Sequence, residues 1–253
     1  MKTNISAIII TKNEEHHIAD CCRTVGFCDQ CIVVDDESSD ATRAIAEEMG
    51  ATVYTRAMEG DYAAQQNFAI SKATGDWLLF IDADERLPFR LQQEILNVTQ
   101  KSKSNKSYAI HRLNYFAGKK VLHGPLRPDW IVRLTPKEGA YFIGRVHQQL
   151  KTPYPVIRLK QPMLHFTYPN WQTYYQKNRR YAQLSAEKFI EQQQKGYFFI
   201  DLGIKPLWAF INMYFVHRGF IDGRLGFALA ANFAAYTLEK YTRFHELKDK
   251  FKT

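Results

Sequence analysis

The sequence is short of the signatures that define several common function classes. It has no GxxxxGK[ST] run, which removes the P-loop NTPases, and no GxGxxG fingerprint, which counts against NAD enzymes. Cysteine is confined to Cys21, Cys22, Cys28 and Cys31. Cys28 and Cys31 have CxxC spacing, but no second CxxC or nearby paired His completes a zinc tetrad, so reduced, partly buried thiols are expected. Disulfides do not suit a cytosolic chain. No basic, apolar and small-residue stretch reads as a secretory signal before Ile5–Ile10. The most apolar late run, Leu207–Val216, is too short to span a bilayer and is followed by His217 and Arg218. These absences lead us to expect a cytosolic protein without a spanning helix, internal repeat or low-complexity tract.

The 253 residues suffice for one large or two small domains, with an ordinary 45% hydrophobic content and plentiful aromatics (14 Tyr, 17 Phe, 4 Trp). Thirty-four basic against 26 acidic residues give a net charge of +8, which favours anionic partners. Nucleic acid is set aside, because the basic residues form no dense run and no recognised binding motif occurs.

Up to residue 100, strand-like and helix-like segments alternate. Strands are expected at Ile5–Ile10, Cys31–Val34, Ala51–Tyr54 and Trp77–Ile81. Helices are expected at Glu14–Val25 capped by Asn13, from Ser39 or Asp40 to Met49, at Tyr62–Ala73 and at Arg90–Val98. This order predicts an α/β fold with a parallel sheet covered on both faces. Ligands then bind beyond the carboxyl ends of the strands, where Thr11, Lys12 and Asn13, Asp35 and Asp36, and Asp82 and Asp84 fall. Further on, short strands are expected at Tyr108–Phe116, Ile131–Leu134, Ala140–Ile143 and Met163–Phe166, then helices from Trp171, at Pro206–His217 and at Leu225–Tyr241.

The most informative stretch is Phe80-Ile81-Asp82-Ala83-Asp84-Glu85. If the chain stays extended there, Asp82 and Asp84 point to one side. Paired carboxylates suit a hard ion, Mg2+ or Mn2+, which can clamp a diphosphate. Asp35-Asp36-Glu37-Ser38-Ser39-Asp40 repeats the theme two strands earlier. A helix cap explains Ser39 or Asp40 but not the two acids before them, and a carboxylate there can accept from a ribose or a base N–H. An aspartyl-phosphatase reading fails, because Glu85 and Arg86 follow the acids and the strand is the fourth.

Three motifs in order and spacing, Ala7–Glu15, Val33–Asp40 and Phe80–Glu85, resemble family 2 inverting glycosyltransferases of GT-A fold. The later part, with Arg127-Pro128-Asp129-Trp130, Gly144-Arg145-Val146-His147-Gln148 and Arg218-Gly219-Phe220-Ile221-Asp222-Gly223, is similar to the lipopolysaccharide inner-core β-1,4-glucosyltransferase branch. The resemblance implies a GT-A fold, Rossmann-like with a mainly parallel sheet, and a helical C-terminal extension. It divides the chain into a nucleotide-sugar-binding half at 1–105, an acceptor-binding half at 106–168 and a helical region at 169–253. Ile10, Thr11 and Lys12 would edge the nucleotide pocket, Asp35 or Asp36 would hold the uracil–ribose part, Asp82 would approach the ribose or the metal, and Asp84 would coordinate the metal. The implied partners are a UDP-hexose, expected to be UDP-glucose, and the heptose of lipopolysaccharide core. Another donor, another glycan acceptor, or a non-catalytic sugar-nucleotide-binding role are the alternatives.

Two positions depart from that branch. Gln148 stands where relatives carry Glu, and an amide does not accept a proton at neutral pH. Gln65-Gln66-Asn67 stands for Gln-Arg-Asn, so a diphosphate or base contact is lost or comes from Arg56 or Lys72. An inverting transfer needs one base. Asp129 is the first candidate, with a turn residue after Pro128 as the plain alternative; His147 is second and Glu138 third. Lys119, Lys120, Arg127, Arg133 and Arg145 fall in the acceptor half and suit an acidic glycan. Pro206–Val216 is apolar on nearly every side and flanked by Lys205, Arg218 and Arg224. It reads either as a helix on the inner face of the cytoplasmic membrane or as one buried against the protein or a second subunit.

Overall fold

The computed structural model describes residues 4–100, 105–145 and 148–250. The chain forms two compact units, residues 1–112 with 129–165, and residues 113–128 with 166–253.

The first unit begins as the alternation predicts: β1 (Ile5–Thr11), α1 (Ile18–Thr24), β2 (Gln30–Asp35), α2 (Thr42–Glu48), β3 (Thr52–Thr55), α3 (Tyr62–Lys72) and β4 (Trp77–Asp82). A two-residue β5 (Glu85–Arg86), α4 (Phe89–Gln100), β6 (Ser107–Phe116), β7 (Lys119–Val121), β8 (Asp129–Pro136), β9 (Tyr141–Ile143), β10 (Gln149–Lys151), β11 (Val156–Arg158) and β12 (Met163–Tyr168) follow, with β7 belonging to the second unit. The main sheet runs β3-β2-β1-β4-β8-β6-β12-β5. The first four strands are parallel and β8 is antiparallel to β4. It is a GT-A-like arrangement.

Side-chain alternation explains why β1 is central. Ile5, Ala7 and Ile9 join a core with α1 and α4, and Ile8 joins a second core with Ala63 and Ala69 of α3. Register aligns the strand ends: Ile10 lies beside Val34 and Asp82, and Thr11 beside Asp35.

Two helix starts differ from expectation. Asn13 does not cap α1. It has φ +54°, and its side-chain oxygen accepts from Ser39 N at 2.8 Å while its own N–H donates to Ser38 Oγ at 2.8 Å. Its hydrogen-bonding capacity goes to the turn after β2, and α1 begins at Ile18. Likewise α2 starts at Thr42, because Asp40 accepts from Thr42 N at 3.0 Å and from Glu15 N at 3.2 Å.

The second unit contains α5 (Trp171–Glu191), α6 (Lys205–Ile211) and α7 (Gly223–Lys250). Asn170 caps α5 by accepting from Thr173 N at 2.9 Å. Phe116 anchors an aromatic cluster with Trp171 at 4.4 Å and Tyr174 at 5.6 Å between ring centroids. α6 is bracketed by π-helical turns at Ile200–Ile204 and Asn212–Val216, so the regular helix expected to His217 ends at Ile211. The chain then crosses itself closely: a Cβ built on Gly226 would lie 1.8 Å from Gly219 O. No helix among the described residues is long and apolar enough to cross a membrane.

Candidate active site

The ends of β2 and β4, with that of β1 between them, carry the acids that the sequence singles out, and they fall into two kinds. Asp35 is fully buried and spent on its own turn: it accepts from Ser38 N at 2.8 Å and from Ser38 Oγ. Asp36 keeps an 11% exposed side chain; Oδ2 pairs with Lys12 Nζ at 2.9 Å and Oδ1 accepts from Met58 N at 2.8 Å. The two acids thus differ in environment: Asp35 is held by its own turn, and Asp36, also buried, ties Lys12 to the backbone at Met58. Asp36 N donates to Thr11 O at 2.8 Å, joining the two strand ends. Thr11 is 3% exposed, and its Oγ1 has no hydrogen-bond partner among the described residues; the same holds for Gln66 Oε1 on α3. A buried polar atom left unpaired costs free energy.

The chain does not stay extended through Asp82-Ala83-Asp84. β4 ends at Asp82, Ala83 and Asp84 turn, and β5 begins at Glu85. The period-two argument for Asp82 and Asp84 therefore lapses. Asp82 has a 41% exposed side chain, whereas Asp84 is 19% exposed with Oδ2 3.3 Å from His165 Nε2. Glu85 closes the turn: its Oε2 accepts from Asp82 N at 2.9 Å.

Behind the turn stands a group that sequence reasoning missed. Arg133, on β8, is buried and its Nη2 bonds both Asp82 Oδ2 and Glu85 Oε1, the latter at 2.6 Å. Glu85 Oε1 lies 3.6 Å from Arg112 Nη1. Arg112, on β6, makes a two-pronged bond to Asp129 at 3.0 and 2.8 Å. Asp82, Arg133, Glu85, Arg112 and Asp129 thus form an unbroken alternation of charge. Burial, with the charge of Asp82 nearby, pushes the Glu85 carboxyl above its ordinary range despite Arg133. Burial alone would lower Arg133, but Asp82 and Glu85 outweigh it and raise the guanidinium well above its usual value, so it stays charged. Arg133 therefore does not face an acceptor, as its place in the sequence suggested. The available signal was an Arg at an inward position of the apolar run Ile131–Leu134, which calls for a buried countercharge.

The other expectations sort as follows. Asp129 opens β8, paired with Arg112 in register, and its side chain is half-exposed. Beside it, Trp130 stacks on His111 at 4.8 Å and under Arg158 at 4.8 Å. His147 lies outside the described residues; Gln148 Oε1 is buried without a partner among those described. Arg56 and Gln65 bond each other, with Gln65 Nε2 donating to Arg56 O at 2.7 Å. Lys72 lies over Phe68 at 5.2 Å. No group of three or more His, Cys, Asp or Glu side chains that could hold a metal occurs among the described residues. None of the four cysteines is in a disulfide.

The acids lie at the ends of strands in the parallel part of this mixed sheet, and residues 6–125 match the family described as Glycosyl transferase family 2. The chain belongs to that family and is a glycosyltransferase. It is 30% identical over 261 residues to an uncharacterized glycosyltransferase of Rickettsia typhi, covering 97% of this chain and 88% of that protein. It is 27% identical over 257 residues to the lipopolysaccharide core biosynthesis glycosyltransferase LpsC of Rhizobium meliloti, covering 98% and 95%. Among solved structures, S. aureus TarS superposes over 96% of this chain and 55% of that one, at 15% identity and a TM-score of 0.42.

Proposed function

We propose that this glycosyltransferase moves glucose from UDP-glucose, with inversion, onto a heptose of the lipopolysaccharide inner core. Likeness to LpsC supports the glycan class. The observation that carries the reading is the juxtaposition at the carboxyl ends of three adjacent parallel strands: Asp36 with Lys12, Thr11 Oγ1 without a partner among the described residues, and the half-exposed Asp82.

In this reading Asp36 accepts from the nucleoside, Ile10 and Thr11 line the pocket, and the Lys12 ammonium faces the diphosphate. The oxygen donors at Asp82 and Asp84 fit Mg2+ or Mn2+. Such an ion takes one or two carboxylates and completes its shell with phosphate oxygens and water, so the lack of a larger cluster among the described residues is compatible with it. When bound, it would neutralise charge on the departing diphosphate. Asp129 takes the proton of the acceptor hydroxyl as that oxygen bonds the anomeric carbon and the bond from this carbon to the diphosphate oxygen breaks. Arg112 orients the carboxylate by its two-pronged grip. Because the acceptor is lipid-linked, the protein would work at the inner face of the cytoplasmic membrane.

The test is a thermal titration with UDP-glucose, UDP-galactose and ADP-heptose, with and without Mn2+. A ligand at about 100 times its Kd stabilises the native state by roughly 2.7 kcal/mol. The expected result is a Mn2+-dependent shift with UDP-glucose that Asp82→Asn removes, together with a fall in turnover of about 100-fold or more. A shift with ADP-heptose alone would name heptose, not glucose, as the transferred sugar. Unchanged turnover in Asp129→Asn would remove the base.

A further inference from the structure

The second unit turns an unusual share of its aromatic side chains outward. Around α6, Leu207 and Trp208 are 62% and 59% exposed, and Phe199 before it is 85% exposed. These are not scattered. Tyr214 has Phe215, Phe227 and Phe210 at 5.0, 5.6 and 5.3 Å between centroids, and Phe220 at 6.3 Å. Phe215, Phe220 and Phe227 are each about half exposed. Leu207 sits one helical turn before Phe210 and Ile211, which extends the same face. A contiguous apolar surface of this kind marks an interaction site.

Its charge pattern names the partner. From Lys195 to Phe227 the sequence has two acids, Asp201 and Asp222, and both are turned inward. Asp201 is fully buried, with Lys205 Nζ at 2.7 Å, His245 Nε2 at 2.9 Å and Tyr197 N at 2.8 Å. Asp222 accepts from Leu122 N and His123 N at 3.0 and 2.8 Å and pairs with His123 Nδ1 at 2.9 Å. The charges left exposed on the segment, Lys195, Arg218 and Arg224, are all positive. A second copy meeting this face by two-fold symmetry would set cation against cation with no carboxylate from the segment to answer it. Anionic phospholipid headgroups answer it directly, and aromatic rings favour the headgroup level.

We propose that the exposed surface built from residues 197–227 docks on an anionic lipid bilayer, with Leu207, Trp208 and Phe215 entering the headgroup boundary and Arg218 and Arg224 meeting phosphates. The chain lies on the membrane and does not span it. This rests on the peripheral location proposed above, but not on the choice of donor.

Sedimentation with vesicles tests it, using full-length protein without nucleotide and two compositions, pure phosphatidylcholine and an equimolar mixture with phosphatidylglycerol. Binding is expected to the mixed vesicles and to fall at high salt, where screening shortens to about 3 Å at 1 M. Arg218→Ala and Arg224→Ala are each expected to weaken it about fivefold, the equivalent of about 1 kcal/mol per surface cation. Leu207→Glu should abolish it while far-ultraviolet circular dichroism and the nucleotide-induced thermal shift stay unchanged. No binding to mixed vesicles, equal binding to neutral ones, or retained binding in Leu207→Glu would overturn the proposal. So would a dimer in sedimentation velocity that Leu207→Glu dissolves while vesicle binding persists. Loss of the nucleotide shift in wild-type protein would strike the donor reading alone.

Discussion

The two units treat buried carboxylates in different ways. In the first, Glu85 sits between two guanidiniums, and the charge it organises leads outward to Asp82 at the end of β4 and Asp129 at the start of β8. In the second, Asp201 and Asp222 lead nowhere: they bind backbone N–H groups, Lys205 and two histidine rings, and what reaches the surface is aromatic. One unit buries ions to aim other ions, while the other buries ions to fasten turns. A buried ion pair is a weak source of net stability, but breaking one leaves an uncompensated charge. Both units are therefore sensitive to loss of their acids, and only the first should lose chemistry through its neighbours.

The sharpest way to break this contrast is Glu85→Ala. It strands Arg133 and Arg112 and should cost roughly 3–5 kcal/mol, read as a shift in the urea midpoint. A loss below 1 kcal/mol would mean that Asp82 and Asp129 suffice as counterions.

A second comparison uses pH, because the two acids shift in opposite directions. Burial raises Glu85 above its ordinary 4.5. Its folded form holds a proton more readily than its unfolded form, so its contribution is complete below about pH 4.5 and fades as pH rises through the raised value. Asp201 feels burial too, but Lys205, Tyr197 N and His245 outweigh it and lower the carboxyl from 3.8. Its contribution is complete above 3.8 and is lost as pH falls through the depressed value. Urea midpoints between about pH 3 and pH 7 should show the cost of Glu85→Gln shrinking as pH rises, and that of Asp201→Asn shrinking as pH falls. Parallel slopes would erase the distinction.

The smallest effect should show no contrast at all. Asp61 caps α3 in the first unit, accepting from Ala64 N at 2.9 Å, and Asn170 caps α5 in the second. Replacing either by Ala should cost about 1 kcal/mol, measured by chemical denaturation.

The alternating segments of the first unit were readable because apolar runs and capping residues agree there. β1, β2 and β4 lie within a residue or two of their expected bounds. Asn13 misled because a residue able to cap a helix can equally clamp a turn from a distant strand, and which one wins depends on tertiary contacts. The same limit applies at the site. Asp36 and Asp82 stood out as acids after apolar strands, but the role of Asp35 followed only once Ser38 was seen to fold back on it. Glu85, Arg112 and Arg133 come from three separate strands, and no local pattern connects them. The outward face around α6 was illegible for another reason: Leu207–Val216 is apolar on nearly every side, so periodicity cannot say which side is covered.

The pairing of Arg133 with Asp82 has one more consequence. A carboxylate already gripped by a guanidinium is not a vacant seat, so the divalent ion proposed above would have to win a contest with a resident cation. Its loading would then be an exchange, with an affinity set by the difference between two attractions instead of a single one. A diphosphate that travels with the ion tips that contest by offering its own oxygens, which would make nucleotide and metal each a poor ligand alone and a good one together.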